Sequence, residues 1–283
     1  MQILENENLS KYTTIKIGGV AKKFYIPCSF DELFSVIQEV GQNNILILSG
    51  GSNLLINDKK IFEHVVFMKD LDAQIIDNKN GSFYCGASVK IQNFIRFVND
   101  CGYGGFEYLF SLPALVGGII YMNAGRGKKI KKSVSDYIES VYVIRNGTKI
   151  KLHKDECAFK YRESVFHKTN DIILGADFIF APQDKDVSSL AIEERLKFCE
   201  ANQDNSGRNF GSVFLQSNRR IMSLLKKCNI GFKNGVAFSQ KNNNWLLNKG
   251  NGTFKQAMFL IGLCKFLHRI TLKKIKTEVV IWK

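Results

Sequence analysis

The sequence predicts an α+β protein, and three observations point there. Apolar strand-like and helix-like segments are intermixed, without the regular βαβ alternation of a doubly wound sheet. One stretch, 138–152, reads as an antiparallel hairpin: Val141 and Val143 alternate with Tyr142 and Ile144 before Asn146-Gly147, the pair that suits a type I′ turn. The helical segments bring their own punctuation, as in Ser29 and Glu32, which form an S-x-x-E capping box before a helix that reaches about Gly41.

Taken in order, residues 22–27 form a short strand ahead of that capped helix. Ile45–Leu48 is a compact apolar strand, followed at once by Gly50-Gly51-Ser52-Asn53. Residues 65–68 and 82–86 are further strands. Val89–Cys101 has helical periodicity, with Phe94, Ile95, Phe97 and Val98 on its apolar side and Gly102 as its stop. After the hairpin come a strand at 172–180 and a helix from Asp186 to about Ala201. The polar stretch 202–209 is expected to be a linker. Helices near 219–228 and 253–267 and a strand at 277–282 complete the chain.

The 283 residues allow roughly two domains. The formal charge is +14, and all of the excess falls in one place. Residues 1–204 carry equal numbers of acids and bases, whereas 205–283 carry 15 Lys or Arg and one acid, Glu278. Such a concentration of charge calls for an anionic partner: nucleic acid, a membrane surface or a phosphorylated small molecule. The opening residues lack a basic and apolar leader, and the longest uncharged stretch, Tyr108–Gly125, is broken by Pro113 and Gly117-Gly118, so no secretory signal or membrane span is expected. Seven cysteines without a C-x-x-C pair read as reduced, mostly buried thiols of a cytoplasmic protein. The four histidines share no metal-ligand spacing, so no metal is expected.

Two glycine-bearing segments carry the functional signal. In Leu48-Ser49-Gly50-Gly51-Ser52-Asn53-Leu54 a strand enters a tight turn of small residues, whose exposed N–H groups can cradle phosphate oxygens. The turn matches neither the dinucleotide fingerprint nor the P-loop. In the second segment, Ser111–Gly125, Gly117-Gly118 would let backbone pass close to a flat, bulky group, or pack a buried helix closely.

The order of motifs resembles the UDP-N-acetylenolpyruvoylglucosamine reductase family. Gly105–Gly125 is similar to its G-x-E-x-L-x-x-I-P-G-x-x-G-G-x-x-x-M-N-A-G segment, Thr13–Gly19 to its T-x-x-x-G-G, and Gly50–Leu54 to its G-G-S-N-L. Tyr161–Phe166 is similar to Y-R-x-S-x-F, Gly211–Phe214 to the start of G-S-x-F-K-N-P, and Glu278 stands in a closing strand like the family's catalytic glutamate. The spacing resembles the compact subtype. The resemblance implies an FAD-binding fold of the vanillyl-alcohol-oxidase type over 1–183, with two subdomains split near 66–70, and a smaller α+β substrate-binding domain over 184–283.

The implied chemistry has two halves: NADPH reduces non-covalently bound FAD, and the flavin then reduces the enolpyruvyl double bond of a UDP-sugar for peptidoglycan synthesis. Gly50, Gly51, Ser52, Asn53 and Leu54 would hold the pyrophosphate of FAD. Pro113, Gly117, Gly118, Asn123 and Gly125 would line the flavin. Arg162, Ser212 and Glu278 would be catalytic: a fixed cation for the charge that builds on the substrate, a proton donor, and a carboxylate beside the reacting carbon. Gln216, Lys241 and Asn244 would bind substrate.

The family's I-P-G reads Leu112-Pro113-Ala114, its K-N-P reads Leu215-Gln216-Ser217, and a downstream His is Asn242. Gln203-Asp204 only partly keeps the usual Q-P. The implied protein is a monomer with a UDP-sugar as its partner and no nucleic acid or membrane. Two alternatives stay open: a paralogue acting on another UDP-sugar, and a basic nucleic-acid-binding protein.

Overall fold

A computed structural model describes residues 1–127 and 131–283. In chain order the principal elements are β1 (Gln2–Asn8), β2 (Val20–Ile26), α1 (Phe30–Val40), β3 (Leu46–Leu48), β4 (Leu54–Ile56), β5 (Ile61–Phe67), β6 (Ile75–Lys79), β7 (Ser82–Gly86), α2 (Ile91–Asp100), α3 (Val116–Tyr121), β8 (Ile138–Arg145), β9 (Thr148–His153), β10 (Ile172–Ile179), α4 (Lys185–Asn202), β11 (Phe214–Gln216), α5 (Arg219–Lys227), β12 (Val236–Phe238), β13 (Leu246–Asn248), α6 (Phe254–Ile270) and β14 (Val280–Trp282). Helices and antiparallel strands are mixed, as expected for an α+β protein.

The chain forms two compact units. The first contains Met1–Leu4, Lys23–Gly50 and Glu63–Glu200, and the second Glu5–Lys22, Gly51–Phe62 and Ala201–Lys283. Each unit is drawn from three separate stretches of the chain. The physical reason lies in the core of the second unit, where Ile15, Ile17 and Leu55 are buried with Phe210, Val213, Leu260 and Val279. Hydrophobicity marks such residues as buried without saying which distant residues cover them.

The first unit holds a five-stranded antiparallel sheet in the order β9-β8-β10-β7-β6. Its hairpin turns at Asn146 (φ 51°) and Gly147 (φ 74°), the two positive φ values a type I′ turn requires. Val141 and Val143 point into a core shared with α2, where Phe94 lies 5.0 Å from Phe178 and Phe106 lies 4.9 Å from Phe180. A four-stranded sheet runs in the order β1-β2-β5-β3, with β3 parallel to β5. Helix α1 starts at Ser29, whose side chain accepts from the Glu32 N–H. The Glu32 carboxylate returns to the N–H of Cys28, one residue before the cap. Gly41 (φ 84°) ends the helix.

In the second unit, α5 and α6 accompany short strand pairs. The strand expected over 277–282 divides in two. Thr277 and Lys276 pair with β11, and Val280–Trp282 runs parallel to β4. Glu278 and Val279 lie at the break. The stretch 202–209, expected to be a linker, is tied down: Asp204 is 4% exposed, and Arg208 and Asn248 exchange backbone hydrogen bonds of 3.2 and 2.8 Å.

All seven cysteines are free thiols: Cys85, Cys157, Cys199 and Cys264 are buried, while Cys28 and Cys228 are exposed. Burial pushes the thiols of Cys157 and Cys264 up to about 12. Among the described residues no helix is long and apolar enough to cross a membrane, and no cluster of three or more His, Cys, Asp or Glu is placed to hold a metal ion.

Candidate active site

The first unit presents the uncharged segment 111–125 as a clamp. Ile91 N–H donates to Ala114 O (3.1 Å), Val116 N–H to Val89 O (2.9 Å) and Gly117 N–H to Ala87 O (2.9 Å). Pro113 is left exposed, with Gly117 and Gly118 half-exposed beside it. A side chain at Gly117 would come within 2.9 Å of the Ala87 methyl, so this glycine packs against the chain leaving β7. A side chain at Gly118 would meet the Ser49 hydroxyl at 3.1 Å, and one at Gly50 would stand 3.4 Å from the carbonyl oxygen of Pro113. Ala114, where the family has glycine, does not take a positive φ.

Around this clamp the hydroxyls of Ser49, Ser88 and Tyr108 are buried with no hydrogen-bond partner among the described residues. Leaving such a group unsatisfied costs about 1–3 kcal/mol, so a polar ligand that paired with these hydroxyls would be stabilised by them. Motif reading passed over them. The signal was the position of Ser49 directly before the glycine turn and of Ser88 directly after Ala87.

Asn123 and Gly125 have structural tasks. Asn123 adopts φ 41°, donates from Nδ2 to Lys160 O (2.8 Å) and accepts from Ser135 N–H (3.0 Å). Its side chain therefore shapes the loop. Gly125 lies against Lys132 O, leaving no room for a Cβ. Its own carbonyl accepts from Arg162 Nη2, and Asn123 O accepts from Nη1 at 3.4 Å. Arg162 itself holds φ 56°, a left-handed conformation that costs a non-glycine residue about 1–2 kcal/mol. Ser164 Oγ donates to Tyr121 O (2.7 Å) and Phe166 is buried, so the Y-R-x-S-x-F pattern divides into anchors and one cation held in a fixed direction.

In the second unit the backbone of Glu278 pairs with the residue that follows Ser212. Ser212 follows Gly211 (φ 76°) and bridges to Trp245. The next residue, Val213, accepts from the N–H of Glu278 (2.9 Å), and Glu278 O accepts from Asn53 Nδ2 (3.4 Å). Asn53 O accepts from Val280 N–H (3.1 Å). Gly51 (φ 62°) is buried against Tyr12 O, where a Cβ has no space, and its own carbonyl accepts from Thr14 N–H (3.2 Å). Ser52 is half-exposed and Leu54 is buried. Thr14 Oγ1 is one more buried hydroxyl without a partner among the described residues.

Of the expected substrate residues, Asn244 is tied to the backbone of the Ser212 loop. Its Oδ1 accepts from Phe214 N–H (3.0 Å), its Nδ2 donates to Phe214 O (2.7 Å), and its carbonyl accepts from Val213 N–H (2.9 Å). It positions the Ser212 loop with its whole amide. Gln216 and Lys241 are exposed.

In the sequence Asp204 figures only as a departure from the family's Q-P, although Asp-x-Ser is a turn signal. Its carboxylate accepts from Ser239 Oγ (2.6 Å), Ser206 Oγ (2.5 Å) and Ser206 N–H (3.1 Å). Burial pushes this acid up, but these hydrogen bonds together with the Lys241 N–H outweigh it and hold the pKa at about 2. The fixed charge pins the 239–245 turn that carries Asn244.

The FAD binding domain family matches residues 21–152. A UDP-N-acetylenolpyruvoylglucosamine reductase of Thermotoga petrophila is 30% identical over 287 residues, covering 98% of this chain and 97% of that one. One from Carboxydothermus hydrogenoformans is 32% identical over 266 residues, covering 92% of this chain and 86% of that one. The chain belongs to the UDP-N-acetylenolpyruvoylglucosamine reductase family. A crystal structure of the Thermus caldophilus reductase, 22% identical, matches with a TM-score of 0.79 over 100% of this chain and 98% of that one, so the fold is shared from end to end.

The protein is therefore an FAD-containing oxidoreductase of this family. The residues fit the group. Unpartnered hydroxyls suit a polar cofactor, and the half-exposed Gly118 beside the exposed Pro113 lets a planar one approach the backbone.

Proposed function

We propose that the protein reduces the enolpyruvyl group of UDP-N-acetylglucosamine enolpyruvate to UDP-N-acetylmuramate with NADPH, in peptidoglycan precursor synthesis. The observation that carries this reading is the backbone pairing of Glu278 with the residue after Ser212, which supports a hydroxyl and a carboxylate working in one site, in a family of enolpyruvyl reductases.

When bound, FAD supplies the redox chemistry, taking a hydride from NADPH and giving it to the substrate alkene. This chain's residues do the rest. Residues 1–183 bind the cofactor, with Gly50–Leu54 as the pyrophosphate turn and Pro113, Gly117, Gly118, Asn123 and Gly125 as the clamp around the flavin. Hydride addition leaves negative charge on the substrate's carboxylate and adjacent carbon. Arg162, permanently charged and aimed by the carbonyls of Asn123 and Gly125, grips that carboxylate. Ser212 Oγ delivers the proton, and Glu278 sets the polarity beside the carbon. Residues 184–283 bind the UDP-sugar, with Gln216 and Lys241 in contact with it and Asn244 holding the loop. The 15 basic side chains of 205–283 draw in a ligand with several negative charges. The enzyme acts in the cytoplasm as a monomer, without nucleic acid or membrane.

Purified protein supplied with NADPH should oxidise it only when the enolpyruvyl UDP-sugar is present, and mass spectrometry should show a product two hydrogens heavier. Oxidation that depends on a different UDP-sugar would favour the paralogue reading, to which Leu215-Gln216-Ser217 and Asn242 lend support. No dependence on any UDP-sugar would overturn both.

A further inference from the structure

The uncharged segment 108–125 ends on an arginine with an unusual neighbour. Arg126 places its guanidinium carbon 5.1 Å from the centre of the Phe198 ring, and Arg195, one turn earlier on α4, places its own 5.7 Å from the same ring. Arg195 Nε donates to Ser111 Oγ at 2.9 Å, which holds that side chain at the start of the clamp. Among the described residues neither arginine has a carboxylate within ion-pairing distance. On α4, Glu193 is taken by Lys197 at 2.6 Å, and Glu194 and Glu200 face solvent. Burial and then the charge of Arg126 both push the Arg195 guanidinium below its ordinary value.

Two permanent cations lie against one exposed ring, and a dianion bound by both would offset the repulsion between them. Guanidinium forks match phosphate oxygens two at a time. A phosphomonoester carries close to two negative charges at neutral pH, which matches the pair.

We propose that Arg126, Arg195 and Phe198 form a phosphomonoester pocket that receives the 2′-phosphate of NADPH and discriminates against NADH. The proposal rests on the reading above that a nicotinamide dinucleotide is the reductant. It places the discriminating charge in the first unit, outside the basic 205–283 stretch.

The test uses the FAD-loaded protein without UDP-sugar. Binding of adenosine 2′,5′-bisphosphate is measured by calorimetry, and flavin bleaching by NADPH and by NADH is followed anaerobically in a stopped-flow instrument. Arg126→Gln/Arg195→Gln should weaken bisphosphate and NADPH binding by about 10- to 100-fold while NADH changes little, as expected for loss of charge-assisted hydrogen bonds. Arg126→Gln alone should show part of the loss, and it leaves the Ser111 contact in place. Unchanged bisphosphate affinity, or NADPH and NADH weakened together, would overturn the pocket. So would a loss confined to UDP, which would assign the arginines to a diphosphate. Bleaching by neither dinucleotide would overturn the reductant reading instead, and the bisphosphate titration would then decide the pocket alone.

Discussion

Glu278 and Val213 are joined by a 2.9 Å hydrogen bond from the N–H of one to the carbonyl of the other. That bond sets the single acid of a basic region beside the residue that follows Ser212. Ser212→Ala should therefore leave flavin reduction by NADPH at its normal rate and slow reduction of the UDP-sugar by about 10²- to 10⁴-fold, the usual worth of a positioned proton donor. Single-turnover measurements of the two half-reactions separate these effects. An unchanged second half-reaction would remove Ser212 from the mechanism.

Arg162→Lys keeps the charge and loses the planar fork. Because Lys inherits the same left-handed backbone, the change isolates the guanidinium. We expect kcat/KM for the UDP-sugar to fall by about 10²-fold or more, with FAD content unaltered. A fall confined to FAD content would make Arg162 a scaffold residue.

Gly51 combines φ 62° with close approach to the Tyr12 carbonyl. Gly51→Ala should destabilise the fold by more than about 1 kcal/mol and lower the bound FAD per chain. Thermal melts and flavin absorbance report the two separately. Gly147→Ala, at a turn with open space around it, should lower Tm without loss of flavin.

Asp204 gives an acid limb with a definite sign. Its folded pKa of about 2 lies below the ordinary carboxylate value near 3.9, so its stabilisation is fully present above about pH 4 and is lost as pH falls towards 2. Asp204→Asn should flatten stability over that window and loosen the 239–245 turn. Chemical denaturation at pH 2.5, 4 and 7 checks it, and an acid limb identical to that of the native protein would show that the charge is not held by Ser206 and Ser239.

Local chemistry was legible in the sequence where it acts locally. The Ser29 cap, the Asn146-Gly147 turn and the stripe of Phe94, Ile95 and Val98 all needed only near neighbours, and all are present. Strands β1 and β6 were not read, because Gln2–Asn8 and Ile75–Lys79 are rich in polar side chains and largely exposed. In the site, the charge count alone drew attention to Glu278. The anchoring of Asn244 was not legible because its partner, Phe214, lies 30 residues away. The left-handed backbone of Arg162 and the burial of Asp204 depend in the same way on contacts that no local pattern encodes.

The parallel pairing of Val280–Trp282 with Leu54–Ile56 has a consequence for synthesis. Residues 54–56 leave the ribosome more than 200 residues before their partner strand, and Asn53 waits as long for Glu278. Contacts of such separation form late and slowly. Any chain halted before residue 278 therefore lacks both the carboxylate and the strand that fixes it. A chain that stops short of residue 280 would leave the apolar edge of Leu54–Ile56 without its parallel partner, a target for quality-control proteases.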